Sequence, residues 1–505
     1  MKNLKMIFAM VALAIVAAAC SNDDDALIPQ QPEHPATAQG IPFTATISGN
    51  QTDGTTRAVG EDGTTIKSDW AVDETVAMIY EVSSVKYNTT ATVQSVDGSG
   101  NATISATLQA GVTDGTGVTL IYPASAADGT TGSILATVLS EQDGTLSAAR
   151  DVRKGTGTIR VNGTATLSGS TTLAAEYAIC KFSVQDLSGT ALSVTSLKVS
   201  DASGNVITSV TPASAASTLY VSLPASTDVT WFSATGSDSK PYIAKGTASL
   251  TAGKAYQPTL KMATLGDLMG ANGKFYATSD AISAATTTAI GVIAHIGSDA
   301  CSETTANGGG HGLVLCLKNA ASDVCWSTDR SAFEFDESAK VDDVEALKRT
   351  TNVSGYSNTN TLAAKENAST KYPAAYYAKN YTPTAPAGTT GWFLPSAQQW
   401  VKMQTGLGGL AENTIVWKAY FDTSHTAATA WENALAKAGE KGTAYDSMTD
   451  AHLWYWSSSE CSANNAVVLD VDATYTGDNY GFYWLSIDKD FYNGGYYRVR
   501  PVLAF

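Results

Sequence analysis

Between Ile41 and Met262 no stretch keeps a helical period of apolar residues; short apolar or alternating runs are separated by turn dipeptides. Thr75-Val76-Ala77-Met78-Ile79-Tyr80, Val118-Thr119-Leu120-Ile121-Tyr122, Leu197-Lys198-Val199 and Thr218-Leu219-Tyr220-Val221-Ser222-Leu223 are such runs. Asp53-Gly54, Asp62-Gly63, Asp97-Gly98 and Asp128-Gly129 supply turns. A two-residue period buries one face of a pleated strand, and Asp-Gly adopts the positive φ that joins antiparallel neighbours. This part therefore predicts antiparallel β-structure, most simply two immunoglobulin-like sandwiches spanning 41–148 and 149–262, with Arg150 to Gly157 as a polar connection.

Composition changes after Ala263, where eight of the ten tryptophans and four of the six cysteines lie. Ser396-Ala397-Gln398-Gln399-Trp400 has the form of a helix capping box, and Trp400, Met403 and Leu407 continue one helical face. Ala430 to Ala438 is a second helix candidate, while Ala466-Val467-Val468-Leu469 and Arg498 to Leu503 read as strands. The stretch 263–505 is thus expected to be an α+β domain.

With 505 residues the chain has room for two to four domains, and its net charge of -16, with a pI near 4.7, excludes nucleic-acid binding through a basic face. Cys180 sits in an apolar strand and is expected to be a buried thiol. Cys301, Cys316, Cys325 and Cys461 lack C-x-x-C spacing, so a zinc site is not signalled; one or two disulfides among them are permitted in an exported protein, with the pairing left open. His34, His295, His311, His425 and His452 show no metalloprotease or triad spacing.

The N-terminus states where the chain goes. Lys2 and Lys5 precede an apolar run from Met6 to Ala19, and Ala17-Ala18-Ala19-Cys20 forms a lipobox. Residues 1–19 are read as a lipoprotein signal peptide and Cys20 as the lipidated residue, with 20–40 a flexible tether carrying Pro29, Pro32 and Pro35. A multiply acylated cysteine holds stably to a membrane. Ser21-Asn22-Asp23-Asp24-Asp25 resembles the acidic export signal of surface lipoproteins from Bacteroides-like bacteria, which implies an outer-membrane, cell-surface location.

Thr56-Arg57-Ala58, Ser68-Asp69-Trp70 leading into Asp73-Glu74-Thr75-Val76-Ala77-Met78, and Ile121-Tyr122-Pro123 together resemble the fimbrillin-like family of Bacteroides-type pilins. The resemblance implies a trypsin-like cut after Arg57, before Ala58, that removes an N-terminal strand and lets another subunit's strand take its place. Ile41-Pro42-Phe43-Thr44-Ala45-Thr46-Ile47 alternates as a removable strand should. A sandwich lacking that strand exposes unpaired backbone groups. The alternative is that Arg57 is an ordinary loop arginine.

Five motifs give 266–505 its resemblance to a C-type-lectin-like module, distantly similar to formylglycine-generating enzymes: Ala289-Ile290-Gly291-Val292-Ile293, His311-Gly312-Leu313-Val314-Leu315, Gly391-Trp392-Phe393-Leu394-Pro395-Ser396, Tyr455-Trp456-Ser457-Ser458-Ser459-Glu460 and Val499-Arg500-Pro501-Val502. No cysteine motif supports enzymatic chemistry, and an enzyme is the least favoured reading. Carbohydrate recognition suits the aromatic and acidic density of Asp470 to Arg498, because sugar ring faces stack on aromatic rings and hydroxyls need amide or carboxylate partners. Tyr480, Trp484, Asp488, Tyr492 and Asn493 are the candidate ligand contacts. The aspartates offer oxygens of the kind Ca²⁺ takes, without EF-hand spacing.

These readings combine into a pilus tip or minor subunit, partnered by other pilins through strand exchange, whose last domain binds a glycan or a surface protein. The end at Phe505, just past the last motif, fits a tip role in which no spare strand is expected to be donated onward. The competing reading is a surface-anchored glycan-binding lipoprotein that does not polymerise.

Overall fold

The computed structural model describes residues 39–49, 60–62, 65–67, 70–146, 151–225, 229–277, 282, 287–302, 310–330, 333–335, 340–349, 352–440, 443–449, 452–472, 481–491 and 496–505. The signal region, Cys20, Arg57 and Ala58 lie outside them.

Strand β1 (Ile41–Gly49) alternates as its sequence predicts: Phe43, Ala45 and Ile47 are buried, and Thr44 and Thr46 are exposed. The short strands β2 (Gly60–Asp62) and β3 (Thr65–Lys67) pair with each other. Then come β4 (Thr75–Val82), β5 (Val85–Val96), β6 (Ala102–Leu108), β7 (Gly117–Tyr122), β8 (Glu141–Gln142), β9 (Arg153–Asn162), β10 (Thr164–Leu167) and β11 (Thr171–Ala175). Eight of these form one sheet that runs β6-β5-β4-β7-β9, continues through β10 and β11 to β1, and returns from β1 to β6. The first unit is therefore a closed sheet in place of the expected sandwich.

Its boundary also moves. The division at Ala148 fails because β9, β10 and β11 belong to the first sheet and give its core Ile159, Ala165, Leu167 and Leu173. Gly155 and Gly157 make this stretch read as a connection, yet they are what lets β9 cross β11 closely. A Cβ on Gly155 would lie 2.6 Å from the Thr172 carbonyl oxygen.

Only Glu176 separates β11 from β12 (Tyr177–Asp186), which opens the second sheet. Strands β13 (Val194–Asp201), β14 (Val206–Val210), β15 (Thr218–Pro224), β16 (Val229–Gly236), β17 (Pro241–Ala248), β18 (Ala255–Tyr256) and β19 (Thr259–Thr264) follow. The order is β15-β12-β19-β17-β16-β13-β14-β8, with β18 beside β12. Cys180 is buried here as expected, and burial pushes its thiol pKa up to about 12.

The C-terminal unit is α+β, as its sequence predicts. It contains β20 (Leu268–Gly270), β21 (Phe275–Tyr276), β22 (Ala289–Ile296), β23 (Gly312–Cys316), β24 (Ala321–Ser322), α1 (Val344–Leu347), α2 (Gly355–Ala363), α3 (Ala368–Lys371), α4 (Pro373–Lys379) and α5 (Ala397–Thr405). Further on lie β25 (Tyr420–Phe421), α6 (Thr426–Gly439), β26 (Leu453–Glu460), β27 (Asn465–Asp472), β28 (Gly481–Asp488), β29 (Tyr497–Val499) and β30 (Val502–Ala504). Two sheets result, β21-β20-β22-β23-β30 and β24-β29-β26-β27-β28-β25. Helix α5 begins at the predicted capping box: the Gln399 amide donates to Ser396 Oγ, and Ser396 N–H to Gln399 Oε1. Helix α6 takes in the second predicted helix. Cys316, Cys325 and Cys461 are free thiols, so the permitted disulfides are not made through them.

The second and C-terminal units share a core cluster. Trp231, Ile243 and Ala263 pack with Met269, Ile293, Val314, Leu503 and Phe505, and Trp231 stacks on His311 at 4.1 Å.

Candidate functional site

The removable-strand hypothesis concerns β1. It is bonded along both edges: antiparallel to β6 from Ile41↔Leu108 to Ile47↔Ala102, and parallel to β10 at Phe43↔Ala165 and to β11 at Ile47↔Thr171 through Gly49↔Leu173. Phe43 is 1% exposed and Ile47 0%. Taking β1 away would open a slot bordered by two unpaired edges, lined along them by Ile104 and Leu108 of β6, Ala165 of β10 and Leu173 of β11, all in the same core cluster. Two of the segments that carry the pilin resemblance, from Trp70 to Met78 and from Ile121 to Pro123, meet beside this core, while Thr56-Arg57-Ala58 lies outside the described residues. Trp70 packs edge-on against Tyr122 at 5.2 Å, the Tyr122 hydroxyl donates to Glu74 Oε1 at 2.6 Å, and Ala77 pairs with Ile121.

In the C-terminal unit the five motifs converge on one scaffold. Gly291 pairs with Cys316 and Leu315 with Val502, while the Phe393 and Val502 backbones exchange bonds of 2.8 and 2.9 Å. The Ser458 amide donates to the Pro395 carbonyl, and the Ala397 amide to Ser459 Oγ. Glu460 is buried and accepts from the Glu334 and Phe335 amides and from Lys489 Nζ, which is itself fully buried over the Trp326 ring. The buried Arg500 guanidinium donates to the carbonyls of Cys316 and Asp446. These charges hold loops to the sheet.

Of the predicted ligand contacts, Trp484 is corrected. Its side chain is 0% exposed, within the core that includes Trp431, Leu469 and Phe482, because its position on β28 faces the helices. Asp488 closes β28 and its carboxylate is engaged by Arg330 at 3.1 Å. Tyr480, Tyr492 and Asn493 lie outside the described residues.

His452 and Trp454, which the sequence did not single out for ligand contact, stand on neighbouring strands with Asp470, Asp472 and Tyr496 of the aromatic and acidic stretch. His452 precedes β26, Trp454 lies in it, Asp470 and Asp472 lie in β27, and Tyr496 precedes β29. His452 Nε2 sits 2.8 Å from Asp470 Oδ1 and 2.6 Å from Trp454 Nε1, so this nitrogen donates to Asp470 when it carries a proton and accepts from the indole N–H when it does not. The Asp470 hydrogen bond raises the His452 pKa against the opposing effect of burial; burial in turn raises Asp470. The Tyr496 ring lies 5.9 Å from His452 and 6.4 Å from Trp454 and is 46% exposed. Phe491, 44% exposed, lies beyond. An imidazole and an indole positioned by buried carboxylates, beside an exposed phenol ring, offer both a stacking face and hydrogen-bonding edges. The alternation of His452, Trp454 and Trp456 was the available signal. Among the described residues no group of three or more His, Cys, Asp or Glu is placed to hold a metal ion.

No family model matches this chain, and no curated protein does. Among solved structures, a fimbrial protein from Bacteroides ovatus is similar over 93% of this chain and 100% of its own, at 16% identity and a TM-score of 0.30. The tip fimbrial protein Mfa3 from Porphyromonas gingivalis, truncated at its C-terminus, is similar over 44% of this chain and 98% of its own, at 8% identity and a TM-score of 0.23. Scores this low assign neither fold nor function.

Proposed function

We propose that this chain is a surface pilus subunit, of tip or minor type, that is exported as a lipoprotein on Cys20, cut after Arg57 and assembled by accepting another subunit's strand. The observation that carries the reading is the seating of β1. It is the first strand among the described residues, the stretch of sequence between it and β2 contains Arg57, and it is bonded along both edges within a closed sheet. Cutting that connection would turn an internal strand into a separable one, and the slot beneath matches a strand with apolar residues at every second position. Limited trypsin digestion, followed by addition of a labelled peptide of Ile41 to Gly49, tests this. Saturable capture by the digested chain, and none by the intact chain, supports the reading; capture by neither counts against it.

The C-terminal unit, in this reading, presents the ligand surface, where Trp454 and Tyr496 would stack on the sugar rings of a glycan or the apolar side chains of a surface protein. A glycan array with the full chain and with Tyr496→Ala tests the glycan form.

A further inference from the structure

The two β-units repeat one strand order. Counterparts of β1, β4, β5, β6, β7 and β9 are β12, β13, β14, β15, β16 and β17, and in each unit the first strand lies antiparallel to its fourth partner and parallel to the last strands. One seam differs. In the first unit β5 pairs with β6 directly, from Thr92↔Ser105 to Val96↔Ala102. In the second, β8 lies alongside β14 at the position where β15 would complete the repeat.

The insert is bonded to both walls. It runs parallel to β14, with Ser209 N–H donating to the Ser140 carbonyl at 3.0 Å and Thr211 N–H to the Gln142 carbonyl at 2.9 Å. On the other wall, Tyr220 N–H donates to the Gly144 carbonyl at 2.8 Å. Between these points the Gln142 side-chain amide replaces a peptide unit: Nε2–H donates to the Ser222 carbonyl at 2.9 Å, and Oε1 accepts from Ser222 N–H at 2.9 Å. Nε2 also donates to Thr208 Oγ1 at 3.0 Å, and Gln142, Thr208 and Ser222 are all buried. Gly144 has φ +76°, and a Cβ there would come within 2.7 Å of Leu219 Cδ2. Each feature is specific to an inserted strand and none is needed by a loop passing over a finished sheet.

We infer that the β14–β15 seam is a strand-acceptor site, filled in cis by Leu139 to Gly144, whose ligand is an extended Leu-x-x-Gln-x-Gly segment: this chain's own, or the same segment supplied in trans. The site is distinct from the slot under β1, and it does not rest on the pilus reading. Buried backbone groups must be paired, so the second unit is complete only with this strand in place, and the strand ties it to the first unit.

The test is amide hydrogen exchange in the full chain carrying Gln142→Ala, or the milder Gln142→Glu, with and without a synthetic peptide of Thr137 to Leu146. The expected result is exchange at least tenfold faster at Ser209, Thr211, Tyr220 and Ser222, with the β16–β17 ladder unchanged, and saturable restoration by the native peptide but not by one with Ala at the Gln142 position. Exchange at those four amides as slow as in the parent overturns the inference, as does fast exchange that the peptide leaves unrestored. If Gln142→Ala does not fold, Gln142→Glu and the parent decide: a parent in which these amides exchange freely while the ladder is protected has no strand held in the seam.

Discussion

Ile47→Ala is the most direct probe of how β1 is held. Ile47 is fully buried, paired with Ala102 on one side and Thr171 on the other. Removing its branched side chain leaves a cavity in a sheet closed around it, at a cost of about 2–5 kcal/mol. At about 1.4 kcal/mol per decade, this raises the opening equilibrium of the strand by roughly 30-fold to several thousand-fold. Thr46, one residue earlier, points outward and is exposed, so Thr46→Ala is expected to change stability by less than about 0.5 kcal/mol. Amide exchange along β6, followed by mass spectrometry, reads the opening in both variants. Faster exchange in Ile47→Ala, with Thr46→Ala at the parent rate, is the expected outcome. Equal effects, or none for Ile47→Ala, would refute the alternation on which the removable strand is argued.

Glu460→Ala strands the buried Lys489 charge and is expected to cost about 3–5 kcal/mol, read by tryptophan fluorescence, whose reporters lie mostly in this unit; Glu460→Leu combined with Lys489→Met should recover most of it. The His311 pKa is pushed down to about 4 by burial and by Lys245, below an unfolded value of about 6.5. The unfolded chain then binds more protons, so stability falls as pH drops from about 6.5 to about 4. Asp267, raised to about 6 by burial, acts in the opposite sense, and comparing the parent with His311→Gln in thermal melts across that range isolates the histidine; equal acid sensitivity in both would refute its role. Tyr496→Ala is expected to leave melting unchanged within about 0.5 kcal/mol and to abolish ligand capture on an array, whereas lost stability would make Tyr496 a packing residue.

How much could be read beforehand followed from the range of the interaction. Alternation in β1 and the capping box before α5 are encoded within a few residues and were legible. Closure of the first sheet was not, because β1 meets β10 and β11 across more than a hundred residues, and Gly155 and Gly157 look like linker until a crossing strand explains them. Trp484 was misplaced for a related reason: flanking glycines and aspartates suggested a loop, whereas pairing of Leu469 with Trp484 turns its indole inward. The Gln142 strand carried no local signal, since two residues of β-structure acquire meaning only between the two walls that bond them.

Assembly by strand exchange requires that β1 leave the first sheet so that another chain can replace it. N-terminal sequencing of the mature protein, taken from the surface of its own bacterium, tests this most directly. The expected mature chain begins at Ala58. A population consisting only of chains blocked at an acylated Cys20 would contradict it.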